Sequence, residues 1–101
     1  MRMLMHVEFP IEPFNTIVRN GTMGQKMQSI LEAIKPEAAY FSEYDGCRGG
    51  TLVVNVNESS DIPRLAEPFF LTFNAKVQLR IAMTPDDLGK SGIDAIAKTW
   101  G

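Results

Sequence analysis

The sequence holds one cysteine, one histidine and one tryptophan among 101 residues. A lone Cys47 excludes an intrachain disulfide framework and suits a reducing compartment. One histidine and scattered carboxylates do not make a zinc framework. Eighteen consecutive apolar residues occur nowhere, and the amino-terminal segment lacks the layout of a signal peptide. A soluble cytoplasmic protein without a membrane span is therefore expected. Ten basic residues face twelve acidic ones for a formal net charge of −2, and neither sign gathers into a block. With no basic patch interleaved with aromatics, nothing points to nucleic acid or to an anionic membrane surface. No glycine loop followed by a lysine is present to cradle phosphate, and Gly21 to Gly24 carry no dinucleotide fingerprint. No cofactor and no permanent metal are expected.

What the sequence does contain is alternation. From Arg2 to Phe9, Met3, Met5, Val7 and Phe9 share one side, while Arg2, Leu4, His6 and Glu8 share the other. Lys76 to Met83 repeats the pattern, with Val77, Leu79, Ile81 and Met83 opposed to Lys76, Gln78, Arg80 and Ala82. A period of two predicts strands with one buried face and one face of mixed chemistry. Between them, Ile11 to Ile34 reads as helical with a break at Asn20-Gly21. Pro13 sits in the first turn, Thr22 with Gln25 has capping-box spacing, and Met23, Met27, Ile30, Leu31 and Ile34 form a stripe. That methionine-rich stripe reads as a core contact, with a ligand-contacting surface as the alternative.

Pro36 closes this helix, and Ala38 to Tyr44 reads as a second strand. Asp45-Gly46 and Gly49-Gly50 mark a loop before a third strand, Thr51 to Asn57, and the pair predicts an antiparallel hairpin. Ser59, Ser60 and Asp61 offer caps to a short helix with Pro63 in its first turn, whose regularity Glu67-Pro68 limits. Thr84-Pro85-Asp86-Asp87 starts a terminal helix, bent at Ser91-Gly92, with Ile93, Ile96, Ala97 and Trp100 on its apolar side.

The order β-α-β-β-α-β plus a C-terminal helix is the split βαβ arrangement, an α+β fold in one domain spanning residues 1–101. It places the first strand between the third and fourth and both main helices on one face, leaving an open face of about 400 Å². Leu4 and Val53 are too apolar to leave that face bare. A second sheet packed on it is the favoured solution, giving a homodimer with small cavities between the sheets; the tail folded across it is the alternative.

The opening MRMLMHVEFP, the helical NGTMGQKMQSILEAIKPEAAYF, the segment GGTLVVNVNESSDIPRLAEPFF and the terminal MTPDDLGKSGIDAIAKTWG together resemble the dimeric α/β-barrel proteins. This branch of the ferredoxin-like fold includes antibiotic-biosynthesis-type monooxygenases, haem-degrading enzymes and stress-responsive barrels. More narrowly, nearly the whole chain is similar to small uncharacterised bacterial proteins of that class. The resemblance implies a ferredoxin-like βαββαβ fold, with a four-stranded antiparallel sheet and a C-terminal helix, paired into a dimeric barrel. Fold alone does not choose among oxidation, isomerisation, regulation and binding. Haem-binding members use an axial histidine, but no motif carries that role onto His6.

The candidate site residues lie on the mixed face. His6 is expected beside Asn55 and beside Gln78 or Arg80. Its ring can transfer a proton or orient an acidic oxygen; a structural hydrogen bond is the plainer reading. Arg80 can grip a carboxylate, enolate or phosphate, or pair with Glu8, Glu43 or a partner subunit. Asn55 can align an oxygen or satisfy His6, and Glu8 can act as a base. Tyr40 and Tyr44 share one parity of their strand and can sandwich a planar molecule, or simply pack an interface. Trp100 reads as a tail anchor or a lid. Cys47 has Arg48 beside it to favour a thiolate, though no nucleophile–base pairing accompanies it.

Three functions follow. The first is a small-molecule-binding homodimer for a planar acidic or phenolic metabolite, held by His6, Asn55, Arg80 and Tyr40. The second is a cofactor-independent monooxygenase or isomerase with His6 and Arg80 as its catalytic pair. The third is a purely structural homodimer.

Overall fold

A computed structural model describes all residues, Met1–Gly101. The elements run β1 (Arg2–Phe9), α1 (Ile11–Arg19), α2 (Met23–Ile34), β2 (Ala38–Tyr44), β3 (Cys47–Asn55), a 3-10 turn (Ser59–Asp61), α3 (Ile62–Phe73), β4 (Lys76–Ile81), α4 (Pro85–Gly89) and α5 (Ile93–Trp100). The four strands form one sheet in the order β2-β3-β1-β4, antiparallel at every pairing. This is the ferredoxin-like α+β arrangement that the alternating patterns imply. No helix is long and apolar enough to cross a membrane.

One sheet face and the helices enclose the core. Met3, Met5, Val7 and Phe9 of β1 and Leu52 and Val54 of β3 meet Phe14, Ile30 and Ile34 from α1 and α2, and Leu65, Phe69 and Phe73 from α3. Phe9 centres an aromatic group, with the Phe14 and Phe73 rings each 5.1 Å away and Phe69 at 6.1 Å. Period two on the strands and a three-to-four spacing on the helices thus converge on one layer boundary.

Three local expectations are corrected. The third strand runs Cys47–Asn55 and not Thr51 to Asn57, so Gly49 and Gly50 are strand residues and not loop. Asp45 and Gly46, at φ 50° and 78°, form a two-residue hairpin turn of the type that needs both residues left-handed. The glycines fit because neighbouring side chains cross over them: a Cβ on Gly50 would stand 2.9 Å from the Phe41 ring.

Thr22 does not close a capping box; its hydroxyl donates to the Ile17 carbonyl at 3.5 Å. And α3 runs through Pro68 to Phe73. A mid-helix proline costs about 3 kcal/mol. The wholly buried Leu65, Phe69 and Phe73 return about 1.5–3 kcal/mol each, so burial wins.

Of the remaining cap candidates, Asp61 heads α3 without a side-chain cap bond and instead closes the turn before it, whereas the α4 box forms as its residues suggest. Asp61 Oδ2 accepts from the backbone N–H groups of Asn57 and Glu58 at 3.0 and 3.2 Å. Thr84 and Asp87 close a reciprocal box at 3.0 and 3.1 Å. The tail beyond it does not return to the body: Ile93, Ile96 and Trp100 are 55%, 51% and 85% exposed. Docking of the tail on its own sheet or helices, one of the two arrangements expected for it, is not what forms.

Candidate functional site

The open face of the sheet arranges its side chains in rows. His6 stands opposite Thr51 on one side and Gln78 on the other, and Tyr40 stands opposite Thr51 in turn. His6 Nδ1 lies 3.0 Å from the Thr51 hydroxyl oxygen. The Tyr44 ring packs edge-on against the imidazole, with centroids 4.2 Å apart and planes at 64°. Tyr44 reaches it by lying over Gly49, where a Cβ would come within 2.9 Å of the tyrosine's own Cβ. His6 Nε2 is thereby sealed from water and has no hydrogen-bond partner. A buried polar nitrogen without a partner carries a desolvation cost that a donor or acceptor placed against it would relieve.

The remaining expected site residues scatter along the same face. Asn55 stands opposite Arg2, not His6, and accepts a hydrogen bond from the amino-terminal ammonium at 2.9 Å. Its expected place beside His6 is corrected by four residues of register, about 13 Å along the strand. Arg80 faces Leu4, one row from His6, and donates to Gln78 Oε1 at 3.5 Å. Neither expected intrachain ion pair of Arg80 forms; the two salt bridges present are Arg2–Glu37 and Arg19–Glu12. Glu43 shares the parity of Phe41 and faces the helices, while Glu8 stands opposite Lys76. Tyr40 is 70% exposed on the open face, on the same side as Tyr44 as their parity requires.

Cys47 and Arg48 are neighbours in sequence but point to opposite sheet faces, as successive strand residues must. The guanidinium therefore lies far from the thiol. It stands 4.6 Å from the centre of the Phe14 ring and donates to Asn15 Oδ1 at 2.7 Å.

That contact marks a second region, which the sequence offered only as the alternative reading of the Met-rich stripe and without Arg48. On the helix side, a groove of about 940 Å³ opens between α1, α2 and the β2–β3 end of the sheet. Phe9, Phe14, Val18, Met23, Met27, Leu31 and Phe41 form its apolar walls, and Arg48, Gln28, Glu32 and Ser42 its polar points. Gln28 and Glu32 satisfy each other through a 3.0 Å hydrogen bond. Glu12 turns its carboxylate to Thr16, whose hydroxyl donates at 2.6 Å, and to Arg19. The Thr16 hydroxyl bond is the main cause of a Glu12 carboxyl held below its ordinary range. Arg48 is left without a carboxylate at salt-bridge distance. The signal for this region was present in the Met23–Met27 stripe. It reads as core because half of each residue's surroundings, the flank of β2, cannot be seen from helical periodicity.

No three metal-ligating side chains converge anywhere in the chain. No family model and no curated protein matches the sequence. Among solved structures, the chain is similar to 5-chloro-2-hydroxyhydroquinone dehydrochlorinase from Burkholderia phenoliruptrix, in complex with 2,5-dihydroxybenzoquinone. The TM-score is 0.62 at 13% identity, over 85% of this chain and 97% of that one. At that identity the likeness is one of fold. A designed protein, Ferredog-Diesel, aligns with a TM-score of 0.46 at 6% identity, over 80% of this chain and 85% of the other.

Proposed function

We propose that this chain reversibly binds planar acidic molecules, aromatic carboxylates or phenolates, in the helix-side groove, with Arg48 as the anion contact. The carrying observation is an oriented guanidinium, felt by Glu12 but with no carboxylate at salt-bridge distance, beside an apolar groove of about 940 Å³. A volume of that size suits a small organic ligand, and apolar walls with few polar points are the usual make-up of such sites. Asn15 and the Phe14 ring fix the fork of Arg48 before any ligand arrives, which lowers the ordering cost of binding. The fold neighbour holds a flat oxygenated ring, 2,5-dihydroxybenzoquinone, a ligand of compatible shape. Calorimetric titration with an aromatic carboxylate and its neutral amide tests the reading. Arg48→Met is expected to weaken the acid about tenfold or more and to leave the amide nearly unchanged. Equal loss for both would sink the assignment of Arg48.

A second reading rests on the orphaned His6 Nε2. We place a second copy of the chain on the open face, where Leu4 is 40% exposed and Tyr40 and Arg80 are exposed as well. Such a homodimer closes a cavity over His6, Tyr40 and Arg80, with Asn55 at its far end. There His6, once the Tyr44 ring swings off its Nε2, moves a proton on a phenolic or enolic substrate while Arg80 faces the developing anion, without added cofactor. Turnover without flavin, metal or nicotinamide, lost in His6→Phe with the assembly intact, supports it. Unchanged turnover in that variant removes it.

A further inference from the structure

The last eighteen residues are built to hold a shape, yet they touch almost nothing of their own chain. The Thr84–Asp87 box and Pro85 start α4, Ser91 bonds the Leu88 carbonyl, and Gly92 at φ 74° turns the chain into α5. Along α5, Ile93, Ile96, Ala97 and Trp100 recur at helical spacing and form a single apolar stripe. An isolated eight-residue helix has too few turns to sustain itself in water, so a packing surface is missing from the monomer.

The molecular surface states how much is missing. The chain exposes 6991 Å² at a mass of 11.2 kDa, where a folded monomer of that mass exposes about 5,700 Å². The excess, about 1,300 Å², exceeds the roughly 800 Å² that each partner contributes to a standard interface. The radius of gyration is 17.0 Å and the long axis 59 Å, against about 13 Å for the radius of a compact chain of this length.

The arm's root is fixed. Ala82 donates to the Arg2 carbonyl at 3.0 Å, so the arm leaves from the β4 edge of the sheet. The opposite edge, β2, carries Tyr40 and Phe41 at 70% and 49% exposure. In a dimer closed on the open sheet faces with its two-fold axis along the strands, each β4 edge faces the partner's β2 edge.

We propose that residues Thr84–Gly101 are an exchanged arm: α5 of each copy docks its Ile93–Ile96–Trp100 stripe on the β2 edge of a second copy, against Phe41. Phe41 also walls the helix-side groove, so the arm of one copy completes the outer wall of the other's groove. The proposal rests on the sheet-face homodimer of the reading above, and the experiment separates the two.

Full-length variants Ile96→Asp (arm altered), Phe41→Asp (receiving edge altered) and Leu4→Arg (sheet face altered) are compared by sedimentation equilibrium, with Trp100 emission and its quenching by acrylamide as the local probe. The expected result is a wild-type dimer at micromolar concentration with Trp100 shielded, and exposed on dilution as the dimer dissociates. Ile96→Asp and Phe41→Asp each weaken the dimer about tenfold or more. Mixing the two restores a tighter heterodimer, because one unaltered arm then meets one unaltered edge. Absence of that restoration, or a dimer with Trp100 freely quenched, overturns the exchange. A dimer broken by Leu4→Arg but untouched by the arm and edge variants keeps the sheet-face reading and removes the arm. A persistent monomer removes both.

Discussion

Gly49 decides where Tyr44 goes. A methyl group there would meet the Tyr44 Cβ at 2.9 Å and the Val7 carbonyl oxygen at 3.3 Å, neither at the end of a flexible side chain. Gly49→Ala should cost about 1–3 kcal/mol as overpacking and push Tyr44 off His6. Gly50→Ala should cost less, since the Phe41 ring it meets is half-exposed and can swing away. Urea midpoints of the two variants check the order.

The carboxylates of Asp61 and Asp87, together with that of Glu12, are the residue-scale pH sensors. Backbone N–H groups of Asn57 and Glu58 hold Asp61 below its ordinary 3.8, and the backbone N–H and hydroxyl of Thr84 do the same for Asp87. A depressed folded-state pKa stabilises above the unfolded value and is lost as pH falls through the folded one. Thermal stability should therefore be level down to about pH 5 and fall below about pH 4. Asp61→Asn, which cannot titrate, should start lower at neutral pH and fall less steeply. The Thr84–Asp87 box was legible from residue type and spacing; the Asp61 bonds to the turn before α3 were not, since the same residue read as that helix's own cap. The geometry of Arg48 was not, because a neighbour in sequence invites pairing with Cys47 and only the strand's parity separates them.

At the scale of elements, alternation located β1, β4 and the body of β3, the breakers Pro36 and Asp45-Gly46 bounded β2, and cap-type residues located α3 and α4. The start of β3 escaped, since a glycine pair ordinarily marks a loop and here accommodates crossing side chains. The passage of α3 through Pro68 escaped for a related reason: the aromatic burial that outweighs the proline is tertiary. Phe69 is wholly buried and Leu71 is 83% exposed, two residues apart on the same helix. Phe69→Ala should cost about 3–5 kcal/mol, a large share of the roughly 5–15 kcal/mol that holds a domain folded. Leu71→Ala should change stability by no more than about 0.5 kcal/mol. Chemical denaturation of the two variants gives the comparison directly.

For the whole molecule, the order of strands followed from the order of elements, because the split βαβ connection leaves β1 only one place. The groove was legible only as the alternative reading of the Met23–Met27 stripe, since its shape exists only where α1, α2 and the end of β2 part company. Covering that area excess with a second copy would make stability a function of concentration. If a second copy covers it, the thermal midpoint should rise with protein concentration between low and high micromolar, by mass action on the folded dimer. A scanning calorimetry series over that range measures it, and a constant midpoint would count against association.

The central position of β1 has a consequence for how the chain comes together. Met3 pairs with Val54 on one side and with Ile81 on the other. The middle of the sheet is thus assembled from segments distant along the chain, whereas β2 and β3 meet across a two-residue turn. Closing long loops before their contacts reward the loss of freedom makes such a step slow. On a ribosome, the strand made first must wait unpaired on one edge until the strand made last emerges. The β2–β3 hairpin and the helices have no such wait. Pulse-labelled amide exchange during refolding should show protection of the hairpin amides, Tyr40 among them, ahead of the β1–β4 ladder around Met5 and Leu79.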